Sequence, residues 1–251
     1  MRADAKTIPV TNDDSDNNKL SQALLRTYNY QIVQEACNYA KTNSRVVAIV
    51  GEPGFGKTVS LRSFQKSNRN VFLITARPSM KQKTFWFDLL RKVDPAYADS
   101  QHLNMESAFE YNHRNLFFIL TRISNALRDC DQPLICIDEA GKLTDKMLSF
   151  FHELRDDAPN CGFVLAGPPY WKDNMFRWAA ANKSGIPEVL RRINLWKSLL
   201  PPTANEVKQF CLMRGIKDEH VIRNLILTCQ NYGQLENEIE LLQLEYHKLK
   251  P

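Results

Sequence analysis

The chain has 251 residues, of which 43% are hydrophobic, and its 33 basic residues exceed its 28 acidic residues by five. This length and composition suffice for one large domain or a core domain with a smaller one, and the slight positive charge permits contact with nucleic acid without requiring it. The chain has no run of 18 apolar residues and no apolar leader at its N-terminus, so we expect no membrane span and no secretion signal. Its six cysteines include no CxxC pair, so we expect no zinc site and reduced thiols in a cytoplasmic protein.

The first two thirds of the chain alternate between apolar runs and helical patterns. Residues 1–18 are polar and acidic, which predicts a disordered arm, and residues 20–41 are compatible with one or two helices. Strands are predicted at residues 46–50, 70–76, 133–137, 162–166 and 195–200, with helices at residues 59–65, 84–93 and 106–129 and a loop at 94–105. Strands that alternate with helices predict an α/β fold, a parallel sheet covered by helices on both faces.

The pattern becomes entirely helical after residue 202. Thr203 and Glu206 fit a capping box that begins a helix reaching about residue 214, and two further helices are predicted at residues 218–229 and 233–248. We therefore predict three parts: an arm at residues 1–18, an α/β nucleotide-binding domain at 19–202, and a small helical lid at 203–251.

The sequence GEPGFGKT at residues 51–58 fits the phosphate-binding loop pattern GxxxxGK[ST] without a mismatch. It follows a β-branched run and precedes a helical segment, which is the context the motif requires. Backbone N–H groups of such a loop surround phosphate oxygens, Lys57 is expected at the β- and γ-phosphates, and the Thr58 hydroxyl is expected on Mg²⁺. The predicted ATP-binding residues of this segment are Gly51, Glu52, Pro53, Gly54, Phe55, Gly56, Lys57, Thr58 and Val59.

Two carboxylates follow the apolar run Leu134 to Ile137. Asp138 and Glu139 stand at the carboxyl end of a predicted strand, where open α/β sheets bind their ligands. Asp138 is predicted to bind Mg²⁺ together with Thr58, and Glu139 is predicted to polarise the attacking water. Alone, the pair could also be a solvated acidic turn, but the upstream phosphate loop favours a hydrolytic role.

Two groups of basic residues lie outside these motifs. Arg191 and Arg192 precede a predicted strand, and either could act as an arginine finger on a neighbouring subunit's nucleotide or belong to a basic surface pair. Lys66 and Arg69 follow the first predicted helix, and Arg77, Lys81 and Lys83 follow the second predicted strand. They are candidates for contacts with DNA phosphates, although the segment could equally be a solvated turn before a helix that buries its aromatic residues.

With GEPGFGKT, LICIDEAGKL, PEVLRRI and a helical C-terminal region in that order, the chain resembles an AAA+ ATPase. Within that class it is most similar to the ATP-dependent transposition regulators, the group of the phage Mu B protein, TnsC and TniB. The closer resemblance rests on the DEAGKL extension of the acidic motif, the compact size and the segment FVLAGPPYW, and it covers approximately residues 20–248.

The resemblance implies a function. Proteins of this group assemble with ATP and Mg²⁺ into filaments or rings on duplex DNA, recruit or stimulate a transposase, and disassemble on hydrolysis. It implies that Lys57 and Glu139 act in hydrolysis and that Arg191 or Arg192 of a neighbouring copy completes the site. Two departures from the family pattern, Ala166-Gly167-Pro168 where a polar sensor is usual and no arginine after Gly233, suit a slow ATP-timed switch.

Two alternatives remain open from the sequence. A helicase loader or replication initiator would have a similar AAA+ structure, and neighbouring genes would distinguish it from a transposition regulator. A non-hydrolysing module, in which ATP only holds a partner surface in place, is compatible with the two missing sensor residues. Measurement of phosphate release would separate this module from the two ATPases.

Overall fold

The computed structural model describes residues 25–96 and 116–248. The predicted arm at residues 1–18 lies outside the described residues. So do most of the predicted loop at 94–105 and the first ten residues of the helix predicted at 106–129.

Five parallel strands form one sheet in the order β2-β3-β4-β1-β5. Their bounds are β1 (Val46–Val50), β2 (Val71–Thr75), β3 (Leu134–Asp138), β4 (Gly162–Gly167) and β5 (Ile193–Ser198). All five had been predicted to within three residues at either end. The α/β fold class is confirmed, because every pairing is parallel and helices connect the strands.

Burial explains which strands occupy the centre. Every residue of β1, β3 and β4 is buried, as expected for apolar runs covered on both faces. In β5 only Ile193 is buried, and the rest of that strand is partly or fully exposed at one edge of the sheet. Each of the central strands therefore ends in a buried position, and β1 and β3 carry the phosphate loop and the acidic pair at their carboxyl ends.

Ten α-helices lie in the described residues. They are α1 (Tyr28–Asn43), α2 (Lys57–Ser67), α3 (Gln82–Val93), α4 (Leu116–Arg128), α5 (Asp145–Asp157), α6 (Pro169–Ala180), α7 (Ile186–Arg192), α8 (Ala204–Met213), α9 (Glu219–Thr228) and α10 (Tyr232–Lys248). Helices α5, α6 and α7 had not been predicted. Local signals for two of them are present in the sequence: Thr144 caps α5 by accepting a hydrogen bond from the N–H of Met147, and α6 begins with Pro169.

The chain divides into two compact units. The α/β unit comprises residues 32–52 and 57–199, and the described part of the helical unit comprises residues 25–31, 53–56 and 200–248. The α/β unit has a large core in which the rings of Phe85 and Trp86 are 1% exposed and meet edge to face. These aromatics of α3 are therefore packing residues, as one of the two interpretations of that segment expected.

The helical unit has a small core of its own. Val207, Cys211, Ile222, Leu225 and Leu235 from α8, α9 and α10 are all buried in it. The capping box predicted at the start of α8 is present: the Thr203 hydroxyl accepts from the N–H of Glu206, and the Glu206 carboxylate accepts from the N–H of Thr203. Across the described part of the chain, no helix combines the length and apolar content that crossing a bilayer would require.

Candidate active site

The phosphate loop begins where β1 ends. The N–H of Gly51 donates to the carbonyl of Gly167 at 3.1 Å, which ties the start of the loop to the end of β4. Helix α2 begins at Lys57, two residues before the predicted start, so Lys57 and Thr58 lie in its first turn. The N–H groups of a helix's first turn and the positive end of its dipole both favour an anion at this position.

Lys57 is buried and fixed. It is 8% exposed, and its Nζ donates to the carbonyls of Gly51 at 2.6 Å and of Glu52 at 2.9 Å. Burial lowers the pKa of Lys57 because desolvation disfavours the charged form, although the carboxylates of Glu139, Asp138 and Glu52 act in the opposite direction. A buried ammonium surrounded only by oxygen acceptors is suited to binding a polyanionic ligand.

Thr58 of the phosphate loop and Asp138 of the acidic pair are in direct contact. The Thr58 hydroxyl donates to Oδ2 of Asp138 at 2.6 Å, although the two residues are 80 positions apart. Asp138 is 1% exposed, and its other oxygen, Oδ1, accepts from the N–H of Glu139 at 2.9 Å. The two residues that the sequence assigned to one metal ion are therefore adjacent, and the carboxylate is held at both oxygens.

Glu139 has an unusual backbone. Its φ is 56°, in the left-handed region, and it caps a 3₁₀ turn at Ala140–Lys142. That conformation costs a non-glycine residue about 1 kcal/mol, and such strain is concentrated at functional sites. Glu139 is partly exposed while the neighbouring Asp138 is buried, which gives two adjacent carboxylates different environments.

The donor set fits Mg²⁺. A hydroxyl and a carboxylate are hard oxygen ligands, and Mg²⁺ is commonly held by one or two such groups together with water and substrate phosphates. Within residues 25–96 and 116–248, no three histidine, cysteine, aspartate or glutamate side chains come together as a metal site. An ion at Thr58 and Asp138 would therefore depend on the nucleotide for part of its coordination.

Packing explains why no polar sensor stands at the end of β4. A Cβ placed on Gly167 would lie 2.9 Å from the Trp171 ring and 3.3 Å from the N atom of Gly141. Trp171 is 1% exposed and forms part of the core, so it cannot move aside for a side chain at position 167. The close approach of Trp171 in α6 therefore excludes a polar side chain at position 167.

The middle of the phosphate loop, residues 53–56, belongs to the helical unit. Gly54 has a φ of 81°, and a Cβ there would lie 2.4 Å from Oδ1 of Asn231. The carbonyl of Gly54 accepts from the N–H of Tyr232 at 3.1 Å, and the carbonyl of Phe55 accepts from Asn29 at 3.3 Å. Asn231 caps α10 through the N–H of Gln234, a role that its place before the helix could have indicated.

The two candidate arginines differ in their contacts. Both stand at the end of α7, a helix that the sequence reading had missed. Arg192 donates to the carboxylate of Asp156 through Nε at 3.2 Å and through a second nitrogen, and to the carbonyl of Glu188 at 3.3 Å. Arg191 is exposed, and its side chain has no hydrogen bond or ion pair with any residue of the described ranges.

Val59 directly follows Thr58, whereas the candidate DNA-binding residues lie outside the cluster of Lys57, Thr58, Asp138 and Glu139. Val59 is 52% exposed on α2. Lys81 is the residue that precedes α3 and Lys83 lies in its first turn, both exposed, whereas Arg77 lines a cavity beside β2. The structure thus brings together Lys57, Thr58, Asp138 and Glu139 and leaves the candidate DNA-binding residues elsewhere in the α/β unit.

The chain is similar in sequence to a protein-family model and to two phage proteins. Residues 40–176, more than half of the chain, match the family model described as "AAA domain". The chain is 24% identical over 222 residues to the ATP-dependent target DNA activator B of Escherichia phage D108, covering 87% of this chain and 59% of that protein. It is 26% identical over 146 residues to the activator of the same name from Escherichia phage Mu, covering 57% of this chain and 41% of that protein. The chain thus spans less than two thirds of both relatives.

Solved structures share the fold. The Walker-type ATPase of Pyrococcus abyssi superposes with a TM-score of 0.56 at 14% identity, over 90% of this chain and 75% of that one. The replication initiator DnaA, bound to AMPPCP and single-stranded DNA, superposes with a TM-score of 0.53 at 16% identity, over 86% and 60%. The resemblance to AAA+ ATPases of the transposition-regulator group is confirmed, and the chain belongs to the AAA domain family.

Proposed function

We propose that this protein is a DNA-binding ATPase that oligomerises on duplex DNA with ATP, marks the DNA as a transposition target and activates a transposase, and disassembles on slow hydrolysis. The observation that carries the nucleotide part is the 2.6 Å hydrogen bond between Thr58 and Asp138, beside the buried Lys57. The transposition part is supported by the similarity to two phage proteins named ATP-dependent target DNA activator B.

Each residue of the cluster has a role in the proposed hydrolysis. Lys57 would exchange its two loop carbonyls for β- and γ-phosphate oxygens, and Thr58 with Asp138 would hold Mg²⁺, which neutralises phosphate charge when bound. Glu139 would orient the attacking water and accept its proton, since it is the partly exposed member of the acidic pair. Asp138 would keep Glu139 in position through the hydrogen bond from the Glu139 N–H.

The charge that develops on the transferred phosphoryl group needs a further cation. Arg191 is the better candidate for a finger that a neighbouring copy provides, because Arg192 is held by Asp156 within its own chain. Hydrolysis would then require two subunits, which is the physical reason to expect activity only in the assembled protein. The glycine at position 167, enforced by Trp171, leaves the water without a polar sensor there and supports a slow rate.

The same glycine supports a second candidate function. A nucleotide-gated interaction module would bind ATP with Lys57, Thr58 and Asp138 but would not hydrolyse it. Phosphate release under single-turnover conditions, with and without duplex DNA, discriminates between the two. Release that duplex DNA accelerates supports the ATPase, and no release over several hours with bound ATP supports the module.

The proposed dependence of DNA binding on ATP has a direct test. Binding of a fluorescein-labelled duplex is measured by anisotropy with ATP and Mg²⁺, with ADP and Mg²⁺, and without nucleotide. Tight binding only with ATP, with the same affinity for unrelated sequences and a steep loss in salt, is the expected result. Equal binding in all three conditions would contradict the proposal. Electron microscopy of the ATP complex then distinguishes filaments from rings.

A further inference from the structure

A cavity of about 550 Å³ lies beside β2, and its lining does not include Lys57, Thr58, Asp138 or Glu139. It is bounded by α2, by β2 and the segment that follows it, and by α3, all within the α/β unit. Leu73, Ile74 and Met80 supply apolar lining. The charged residues that line it, here called the basic pocket, are Arg62, Lys66, Arg77, Asp88, Arg91 and Lys92.

The basic pocket concentrates positive charge far beyond the chain average. Five of its six ionisable residues are cationic, whereas the whole chain has 33 basic and 28 acidic residues. All five cations are exposed, and Arg62, Lys66, Arg77 and Lys92 form no ion pair with a described carboxylate. The guanidinium of Arg91 also stacks on the ring of Phe87, with its carbon 4.9 Å from the ring centre, a cation–π contact.

The arrangement of these cations indicates the kind of anion. Arg62 and Lys66 are one turn apart on α2, and Arg91 and Lys92 lie on α3, with Arg77 between the two helices in sequence. Like charges held this close raise each other's electrostatic energy, so a bound anion would relieve repulsion. Exposed cations spread over two helices provide positive charge along a surface, which suits a repeated phosphate backbone better than a small molecule that needs a few precisely placed polar groups.

We propose that the basic pocket binds the phosphodiester backbone of nucleic acid, independently of base sequence. This inference rests on the proposed association of the protein with DNA and names residues for it. Arg62, Arg91 and Lys92 are new members of the contact, and Lys66 and Arg77 are shared with the basic group predicted from sequence. Phosphate groups of the backbone enter the cavity, and their negative charge offsets the positive charge that exceeds the single carboxylate of Asp88.

The test compares double variants that remove the same charge. Arg62→Gln with Lys66→Gln neutralises the α2 side of the pocket, and Arg91→Gln with Lys92→Gln neutralises the α3 side. The matched control is Lys217→Gln with Arg223→Gln, two exposed cations of the helical unit. Anisotropy of a labelled duplex is measured with a slowly hydrolysed ATP analogue across a series of KCl concentrations, and binding of a fluorescent ATP analogue reports that each variant is folded.

Counterion release gives the expected size of the effect. Each phosphate contact contributes about 0.9 to the slope of log affinity against log salt, so removing two contacts should lower that slope by about 1.8. A fourfold rise in salt should then cost each pocket variant roughly tenfold less affinity than it costs the wild type. The control pair should keep the wild-type slope, and all variants should bind the ATP analogue as the wild type does.

Other results overturn the inference in distinguishable ways. If the wild type binds duplex DNA and both pocket variants keep its slope, the pocket is not the contact, although the proposed function stands. A larger loss in Lys81→Gln with Lys83→Gln than in either pocket variant would place the contact at the turn before α3. If the pocket variants lose binding of labelled polyglutamate but not of DNA, the occupant is an acidic polypeptide. A wild type that binds no DNA with any nucleotide refutes the proposed function as well.

Discussion

The cluster of Lys57, Thr58, Asp138 and Glu139, here called the phosphate-handling cluster, lies in the same unit as the basic pocket. The two regions hold their charges in opposite ways. In the cluster two charged groups have defined partners: Lys57 donates to two carbonyls, and Asp138 accepts from Thr58 and from the N–H of Glu139. The basic pocket is lined by five cations that are exposed to solvent and by one carboxylate, Asp88. The cluster therefore holds its groups in one defined geometry, whereas the pocket provides positive charge without a defined geometry.

This difference determines how each region should respond to substitution. A buried group with a fixed partner loses a large, specific interaction when it is removed, since the partner is left desolvated. An exposed cation contributes little by itself, because water and salt screen it, and its effect appears only in the sum over several contacts. The adjacent residues Arg191 and Arg192 at the end of α7 represent the two cases, since Arg192 is bonded to Asp156 and Arg191 is exposed. They give the first test.

Arg191→Ala should abolish hydrolysis in the assembled protein while leaving ATP binding intact. Arginine fingers contribute about 10³ to 10⁵ in rate, so we expect the assembled variant to fall by at least about a thousandfold. Arg192→Ala, which removes the partnered arginine, should reduce hydrolysis far less. The measurement is steady-state phosphate release with saturating duplex DNA, and the opposite ranking of the two variants would assign the finger to Arg192.

Mixing subunits shows whether the finger acts between copies. Arg191→Ala keeps Glu139, and Glu139→Gln keeps Arg191, so a mixed assembly contains some interfaces with both groups intact. Hydrolysis by the mixture should exceed that of either variant alone. Activity that merely averages the two would mean that Arg191 does not act on a neighbour's nucleotide.

Glu139→Gln should separate hydrolysis from binding. Glutamine preserves size but cannot accept a proton, and loss of a general base costs about 10² to 10⁴ in rate. We expect ATP-dependent DNA binding to persist and dissociation after ATP removal to slow in parallel with hydrolysis. Fluorescence of a labelled duplex follows dissociation, and a variant that fails to bind ATP would show that Glu139 has a structural role.

The sequence predicted the cluster well because its residues lie in two short motifs. GEPGFGKT follows a buried strand, and Asp138 ends another, so chain position alone placed Thr58 and Asp138 near the carboxyl edge of one sheet. The central strands were also predictable, since residues buried on both faces read as continuous apolar runs. The edge strand β5 is mostly exposed and does not follow this pattern, and it was predicted two residues too far along the chain.

What the sequence did not reveal depends on contacts between distant segments. The basic pocket joins α2, β2 and α3, and neither Arg62 nor Arg91 belongs to a motif. Helices α5, α6 and α7 had not been predicted, so the packing of Trp171 that excludes a side chain at Gly167 was not foreseen. The contact of Gly54 with Asn231 and Tyr232 joins residues about 180 positions apart, which no local pattern encodes.

Lys57→Ala should weaken ATP binding on the order of a hundredfold or more, because a buried ammonium is removed from among oxygen acceptors. Its matched control is Lys217→Ala, which removes an exposed cation from the helical unit. Isothermal titration calorimetry with a slowly hydrolysed ATP analogue measures both variants. A loss of less than about threefold in Lys57→Ala would break the distinction between partnered and screened charge.

The smallest effect should come from the exposed pair of Arg192 and Asp156. The Asp156 side chain is 54% exposed, and such pairs contribute roughly 0 to 1 kcal/mol, so Asp156→Asn should lower the midpoint of thermal unfolding by no more than about 4 °C. The hydrogen bond from Arg192 lowers the pKa of Asp156, so the folded state favours the carboxylate. The stabilisation is therefore complete above the unfolded pKa, about 3.9, and disappears as pH falls through the lower folded value.

The difference in midpoint between wild type and Asp156→Asn should accordingly stay constant from pH 7 to about pH 5 and shrink below about pH 4. Asp173→Asn is the control, because Asp173 is an exposed aspartate whose side chain has no hydrogen bond with a described residue. Differential scanning calorimetry across this pH range measures both variants. If the difference in unfolding midpoint persists unchanged at low pH, Asp156 stabilises the fold through packing, and its ion pair with Arg192 contributes nothing.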